Sequence, residues 1–465
     1  MKRKTILLMF AAIMALCVCL VSPSMAQIKN TFVRLGNGVP GVLYEPVTPT
    51  PPKSEIAIVV MHTGSDYLAF SAGADKDYGL AARGYRVLCA NPSTSKSGFI
   101  TDNDINQILS EVKLAVKWLR DNAGKLGIKK VVLLGHSGGG GLMSAYQNIA
   151  ENGVVKACQG PEKIVKCPDS LAGLPPADGL MLLDSTFGSS GMALFSVDPA
   201  AVSEVNAQAL NPILDMYNPA NGFDPDGYPN GSTYTDKFIR QFFAKQKERN
   251  NQLIENALDR LEKIEAGNGR YIDDEPFIVP GGSYKAVNNK LFMQDLSLWQ
   301  HTRGKYYLLT KDGPKGPQIV YSVRVPAATT ESPVPSLVNG ALTTRVRAFL
   351  STFAVRALDG YGYDEDTIYG IDYASSYYCT PYSVSGITVP LLQLGMSGSH
   401  EYFMQETIFE HAIKTSDKTL AYVEGAQHGF KTCTKCEQAW GASYGDTEVT
   451  LYNYVDGWLN SGRFY

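Results

Sequence analysis

The chain has 465 residues, 44% of them hydrophobic and 19% charged, and a formal net charge of −3. That composition excludes the disordered, collagen-like and coiled-coil classes, and a weakly negative chain has no general attraction for phosphate backbones, so nucleic acid is not an expected partner. At roughly 150 residues per domain, the length fits two to three domains or one α/β domain with a large insertion.

Residues 1–26 read as a secretory leader. Lys2, Arg3 and Lys4 precede an apolar run from Ile6 to Val21, and Ser24-Met25-Ala26 forms a small-x-small cleavage pattern. A run of 16 residues is short for a permanent span and no stop-transfer charges follow it, so no stable membrane anchor is expected after cleavage and the mature protein is expected to be secreted or periplasmic. Cys17 and Cys19 lack the preceding small residue that lipid attachment needs. Loss of the leader removes three positive charges and no acid, taking the net charge from −3 to −6. It also leaves Cys89, Cys158, Cys167, Cys379, Cys433 and Cys436, an even set suited to disulfides in an oxidising compartment. Cys158 and Cys167 flank a short polar loop and are expected to pair. Cys433-x-x-Cys436 reads as a tight bridge, a redox pair or half a zinc site, although no second Cys/His pair stands at ligand spacing to complete a metal. Cys89, within Tyr85-Arg86-Val87-Leu88-Cys89, reads as a buried thiol.

The mature chain opens with strand-like runs at Thr31–Leu35 and Pro40–Tyr44 around Gly36-Asn37-Gly38, which is hairpin-turn chemistry. Strands and helices then alternate. Ile56–Met61, Tyr85–Ala90 and Lys130–Leu134 are continuous apolar runs, Ile105–Asn122 has helical spacing, and a helix over 139–151 leads to a strand at Gly179–Asp184. Such alternation predicts a mostly parallel sheet with helices on both faces. The rhythm breaks over 185–388, where Tyr, Asn, Pro and Gly dominate around one long charged helix, Asp236–Ala266, with Thr235 as its N-cap and Gly267 past its end. Phe238, Phe242, Leu253, Ala257, Leu261 and Ile264 lie along one side of that helix as a packing face. Lys305–Leu309 and Gln318–Val325 suggest a strand pair around Asp312-Gly313. The alternation resumes at Val389–Leu394, with a helix near Glu406–Lys414, a strand at Thr419–Val423 and a closing helix from about Asp446 to Leu459. The expected organisation is a leader over 1–26, an α/β core over 27–184, a cap or lid insertion of mixed α+β character over 185–388, and the rest of the core over 389–465.

Gly135-His136-Ser137-Gly138-Gly139 fits G-x-S-x-G, in which small residues flank a serine on a strained strand-to-helix turn. In a chain with 44 glycines the pattern alone is weak, so context has to decide. The motif directly follows the strand Val131-Val132-Leu133-Leu134 and opens a helix, which is the setting the chemistry requires.

On these residues the chain resembles the α/β-hydrolase superfamily over most of 31–184 and 389–460. The resemblance implies a serine esterase-like hydrolase with chain order nucleophile, acid, histidine. It makes Ser137 the nucleophile and His428, in the loop after the last strand, the general base. Gly138 becomes one oxyanion donor, and Thr63 or Gly64 of His62-Thr63-Gly64-Ser65 the other. Two acids compete: Asp184, directly after Leu180-Met181-Leu182-Leu183, and Glu401, a few residues late in the loop after Leu394. No cofactor or metal is implied, and the expected partner is a small-molecule ester. The insertion lies where lids of this fold lie, and its many tyrosines suggest a polar-aromatic pocket. The leading reading is an exported carboxylic-ester hydrolase acting through an acyl-enzyme. A serine peptidase or amidase of the same fold and a non-catalytic binding protein are the alternatives.

Overall fold

The computed structural model describes residues 25–93, 104–206, 209–286, 289–327 and 340–465. Residues 1–24, with most of the expected leader, lie outside them. In chain order the strands are β1 (Ile28–Gly36), β2 (Val39–Pro46), β3 (Ile56–Met61), β4 (Arg86–Ala90), β5 (Lys130–His136), β6 (Gly179–Leu183), β7 (Pro276–Pro280), β8 (Tyr306–Thr310), β9 (Gly313–Gln318), β10 (Ala341–Arg345), β11 (Arg356–Tyr363), β12 (Ile368–Asp372), β13 (Leu391–Met396) and β14 (Lys418–Val423). Ten of them form one sheet in the order β1-β2-β4-β3-β5-β6-β13-β14-β8-β9. The run from β4 to β8 is parallel throughout, and an antiparallel hairpin finishes each margin.

Both faces of this sheet are covered, and the alternation of side chains along a strand explains how. Ala57, Val59 and Met61 of β3 join one core with the helices Ile105–Asp121 and Gly138–Ala157. Ile56, Ile58 and Val60 join a second core with Leu451, Val455 and Leu459 of the closing helix Thr447–Leu459. A strand buried on both sides has no room for a polar position, which is why these segments read as unbroken apolar runs.

The expected long helix spans Asp236–Glu265, and the Thr235 side chain accepts a hydrogen bond from the Phe238 amide at its start. Its buried side includes Phe238, Phe242, Leu253, Ile254, Ala257 and Ile264, and packs partly against the antiparallel strand pair β7–β10 in a third core with Phe277, Val279, Leu342 and Phe349. The 185–388 stretch also adds to the main sheet, since β8 pairs with β14 and β9 pairs with β8. The second strand of this pair is Gly313–Gln318 rather than Gln318–Val325. The turn is only two residues long, so Thr310 faces Gly313 and pairing starts at once. β9 is the outermost strand and carries Pro314 and Pro317. Disulfides join Cys158 to Cys167 and Cys433 to Cys436, the latter in place of a zinc half-site, while Cys89 and Cys379 are buried free thiols. No helix among the described residues is long and apolar enough to cross a membrane.

Candidate active site

In the chain order β3, β4, β5, the sheet grows outward from β3 to β4 and then resumes on the other side of β3 with β5. Connections leaving the carboxyl ends of β3 and β5 therefore diverge and leave a crevice between them, the usual ligand position in an open parallel sheet. Ser137 follows β5 and His62-Thr63-Gly64 follows β3, so both border that crevice. The next strands along, β6, β13 and β14, are followed at the same rim by Asp184, Glu401 and His428 respectively.

Ser137 has φ 57° and ψ −130°, a strained conformation for a residue with a side chain. The turn is possible because the chain nearly touches itself there: a Cβ on Gly135 would lie 2.4 Å from the Gly139 carbonyl oxygen. The Ser137 amide donates to the Leu183 carbonyl at 3.3 Å, and its carbonyl accepts from Gly140 and Thr186 at 3.0 and 3.1 Å. These bonds pin the elbow to the end of β6 and leave its hydroxyl without a hydrogen-bond partner among the described residues.

His428 reaches this elbow through its backbone. Its carbonyl accepts a 2.7 Å hydrogen bond from His136 Nε2, so the loop bearing the imidazole is tied to the residue before Ser137. A carbonyl can only accept, so the His136 proton sits on Nε2, and its Nδ1 accepts from the Tyr67 hydroxyl at 2.6 Å. Burial, reinforced by the nearby His428, holds His136 well below the usual histidine range, consistent with this neutral tautomer.

The His428 Nδ1–H points at carboxylate oxygens, 2.7 Å from Asp184 Oδ2 and 3.1 Å from Glu401 Oε2. Its Nε2, across the ring from the acids, has no hydrogen-bond partner among the described residues. No hydrogen bond joins it to Ser137, a contact that free active sites commonly hold loose. Asp184 is fully buried, accepts from the Met396 amide at 3.2 Å and from Ser399 Oγ at 2.5 Å, and has a carboxyl pushed up by burial. Burial also pushes Glu401 up, but His400 and His428 outweigh it and hold the carboxyl down at about 2. Burial pushes His428 down, yet the Glu401 charge and the Asp184 hydrogen bond prevail, raising it to about 9.

The Gly138 position is packed against the β3 loop, since a Cβ there would lie 3.2 Å from both His62 Nε2 and Thr63 Oγ1. Of the two sequence candidates in that loop, the Gly64 amide donates to His62 Nδ1 at 3.2 Å. The Thr63 amide has no protein acceptor among the described residues. The arrangement thus offers a strained hydroxyl, a free imidazole nitrogen and two amides, Gly138 and Thr63, at one rim. Sequence reasoning left His136, Tyr67 and Ser399 without roles, because hydrogen bonds across five strand ends have no local pattern.

Two clusters of described residues could each offer three ligand atoms to a metal, Asp184/Glu401/His428 and His301/Glu365/Asp366, with those atoms within 4.8 Å of one another. In the first, the Nδ1–H to Asp184 bond already accounts for the contact without a cation.

No protein-family model matches the chain, and no curated protein does. Among solved structures, the siderophore hydrolase EstB from Aspergillus fumigatus is similar at 12% identity and TM-score 0.40, covering 94% of this chain and 98% of that one. Brefeldin A esterase, a bacterial homologue of human hormone sensitive lipase, is similar at 12% identity and TM-score 0.39, covering 96% and 79%. An arylesterase is similar at 11% identity and TM-score 0.37, covering 95% and 85%. The strand order and the strand–elbow–helix unit at Ser137, read from the chain itself, make this an α/β-hydrolase fold.

Proposed function

We propose that this protein is an exported serine hydrolase acting on small-molecule carboxylic esters through an acyl-enzyme. His428 Nε2 takes the Ser137 hydroxyl proton, and Ser137 Oγ attacks the acyl carbonyl. The amides of Gly138 and Thr63 stabilise the resulting oxyanion. The tetrahedral intermediate collapses as the imidazolium returns its proton to the leaving alkoxide, and water, activated by the same nitrogen, then releases the acid. Asp184 orients the imidazole by accepting a hydrogen bond from its Nδ1–H.

The observation that carries this reading is the double tether of His428: its ring to Asp184 at 2.7 Å and its carbonyl to His136, next to Ser137, at 2.7 Å. A loop histidine with no chemical task has no reason to be held at both ends against a strained serine. Export is supported by the leader-like residues 1–26 and by two disulfides.

Purified mature protein is expected to be labelled covalently by a fluorophosphonate and to hydrolyse p-nitrophenyl esters, with both lost in Ser137→Ala and turnover lost in His428→Ala. Wild type that neither labels nor turns over overturns the reading in favour of a binding protein, and turnover of peptide anilides but not esters moves it to an amidase.

A further inference from the structure

We propose that Glu401 is a second positioning residue for His428, holding its Nδ1 side jointly with Asp184 and itself held by His400. The inference rests on the serine-hydrolase reading above and extends it from one orienting acid to two.

The geometry is unusual in its economy of protons. A buried carboxylate is costly unless paired, and Glu401, 2% exposed, is paired on both oxygens. Oε1 lies 2.7 Å from His400 Nε2, and Oε2 lies 3.1 Å from both His428 Nδ1 and Ser399 Oγ. The Ser399 hydroxyl also stands 2.5 Å from Asp184 Oδ2, and its oxygen accepts from the Glu401 amide at 3.1 Å. Ser399 and His428 Nδ1 thus each have a single proton and two carboxylate acceptors, one from the loop after β6 and one from the loop after β13. The shorter contact in each case goes to Asp184. A small rotation of the imidazole transfers its Nδ1–H from Asp184 to Glu401 without moving the backbone tether to His136.

Such a pair differs from a lone orienting acid in two ways. When Asp184 is lost, a second acceptor remains within reach of Nδ1. The extra negative charge also favours imidazolium, so the neutral base form is populated only at higher pH. Among the described residues, the other titratable groups around this centre include His62, His136 and His400 on the His428 side, Lys290 and Tyr67 on the Glu401 side, and Tyr422 on the Asp184 side.

The test uses the mature full chain with p-nitrophenyl acetate, measuring kcat/KM against pH for wild type, Asp184→Asn, Glu401→Gln, Glu401→Asp and the Asp184→Asn/Glu401→Gln double variant. Removing the lone acid of a triad costs about 10⁴-fold. Here Asp184→Asn is expected to lose only about 10²-fold, with the double variant at least a further ~10²-fold lower. Glu401→Gln is expected to stay within about tenfold of wild type at its own optimum, with the acid limb moved about one unit towards lower pH, and Glu401→Asp to restore the limb. A merely structural Glu401 would leave that limb in place, and this result, or a double variant no slower than Asp184→Asn, overturns the proposal. If the double variant fails to fold, the limb of Glu401→Gln still decides. Wild type that is inert to both the ester and a fluorophosphonate would remove the hydrolase reading and this proposal with it, whereas active wild type with an unmoved limb removes this proposal alone.

Discussion

The parallel sheet and the 185–388 stretch place their side chains by different means. At the sheet rim, Ser137, Asp184, Glu401 and His428 come from four neighbouring strand ends, and backbone register brings their loops to one level. In the 185–388 stretch outside β8 and β9, side-chain packing does much of the placing: Phe195, Phe292, Trp299, Tyr363 and Phe403, the last just outside it, form a network of ring contacts, and the long helix buries part of its stripe on the strand pair β7–β10. Hydrogen-bonded strands carry chemistry to a fixed level with little tolerance for error, while a packed layer can change its shape and leave that level alone.

This contrast can be broken first at the elbow. Gly135→Ala would push a methyl to 2.4 Å from the Gly139 carbonyl, a backbone atom with nowhere to go. We expect kcat/KM on a p-nitrophenyl ester to fall by about 10²-fold or more as the nucleophile shifts, with a stability loss of about 2–3 kcal/mol in urea unfolding. Activity within a few-fold of wild type would mean that the rim is as yielding as the packed layer.

The packed layer is probed by Ile254→Ala, since Ile254 is fully buried in the core between the long helix and the strand pair β7–β10. The expected cost is about 2–4 kcal/mol, with kcat/KM of the folded protein unchanged. A proportionate loss of rate would tie this layer to the chemistry. The smallest expected effect is that of the Cys158→Ser/Cys167→Ser variant, which opens a loop of sequence separation 9 beyond the helix Gly138–Ala157. Chain entropy assigns that closure about 2–3 kcal/mol, read as a lower urea midpoint with turnover intact.

The same contrast explains what could be read from the amino acids. Continuous apolar runs such as Ile56–Met61 and Leu180–Leu183 have one arrangement that buries both of their faces, so the sheet was legible, and with it the level of Ser137, Asp184 and His428. Strand bounds were less so: the turn after Thr310 depends on register, which moved the second strand of that pair to Gly313–Gln318. Asp184 and Glu401 looked like rivals because each follows a different strand, and nothing in a linear pattern records that both strands end beside one imidazole. The same holds for the Gly64 amide, which spends its hydrogen on the His62 ring, and for Tyr67, whose hydroxyl meets His136 across 69 positions.

The outermost strand carries a last consequence. A sheet margin is an open template onto which another polypeptide can zip, and the repeated addition of strands is how fibrils grow. In β9, Pro314 and Pro317 supply no amide hydrogen and Lys315 and Gly316 stand between them, so that flank cannot propagate. The opposite flank, β1, carries Lys29, Arg34 and an irregularity in its pairing, and among the described residues it exposes Phe32 by 81%. Of the two flanks, β1 is where self-association of partly unfolded copies would begin, and a charge in place of Phe32 is the natural way to suppress it.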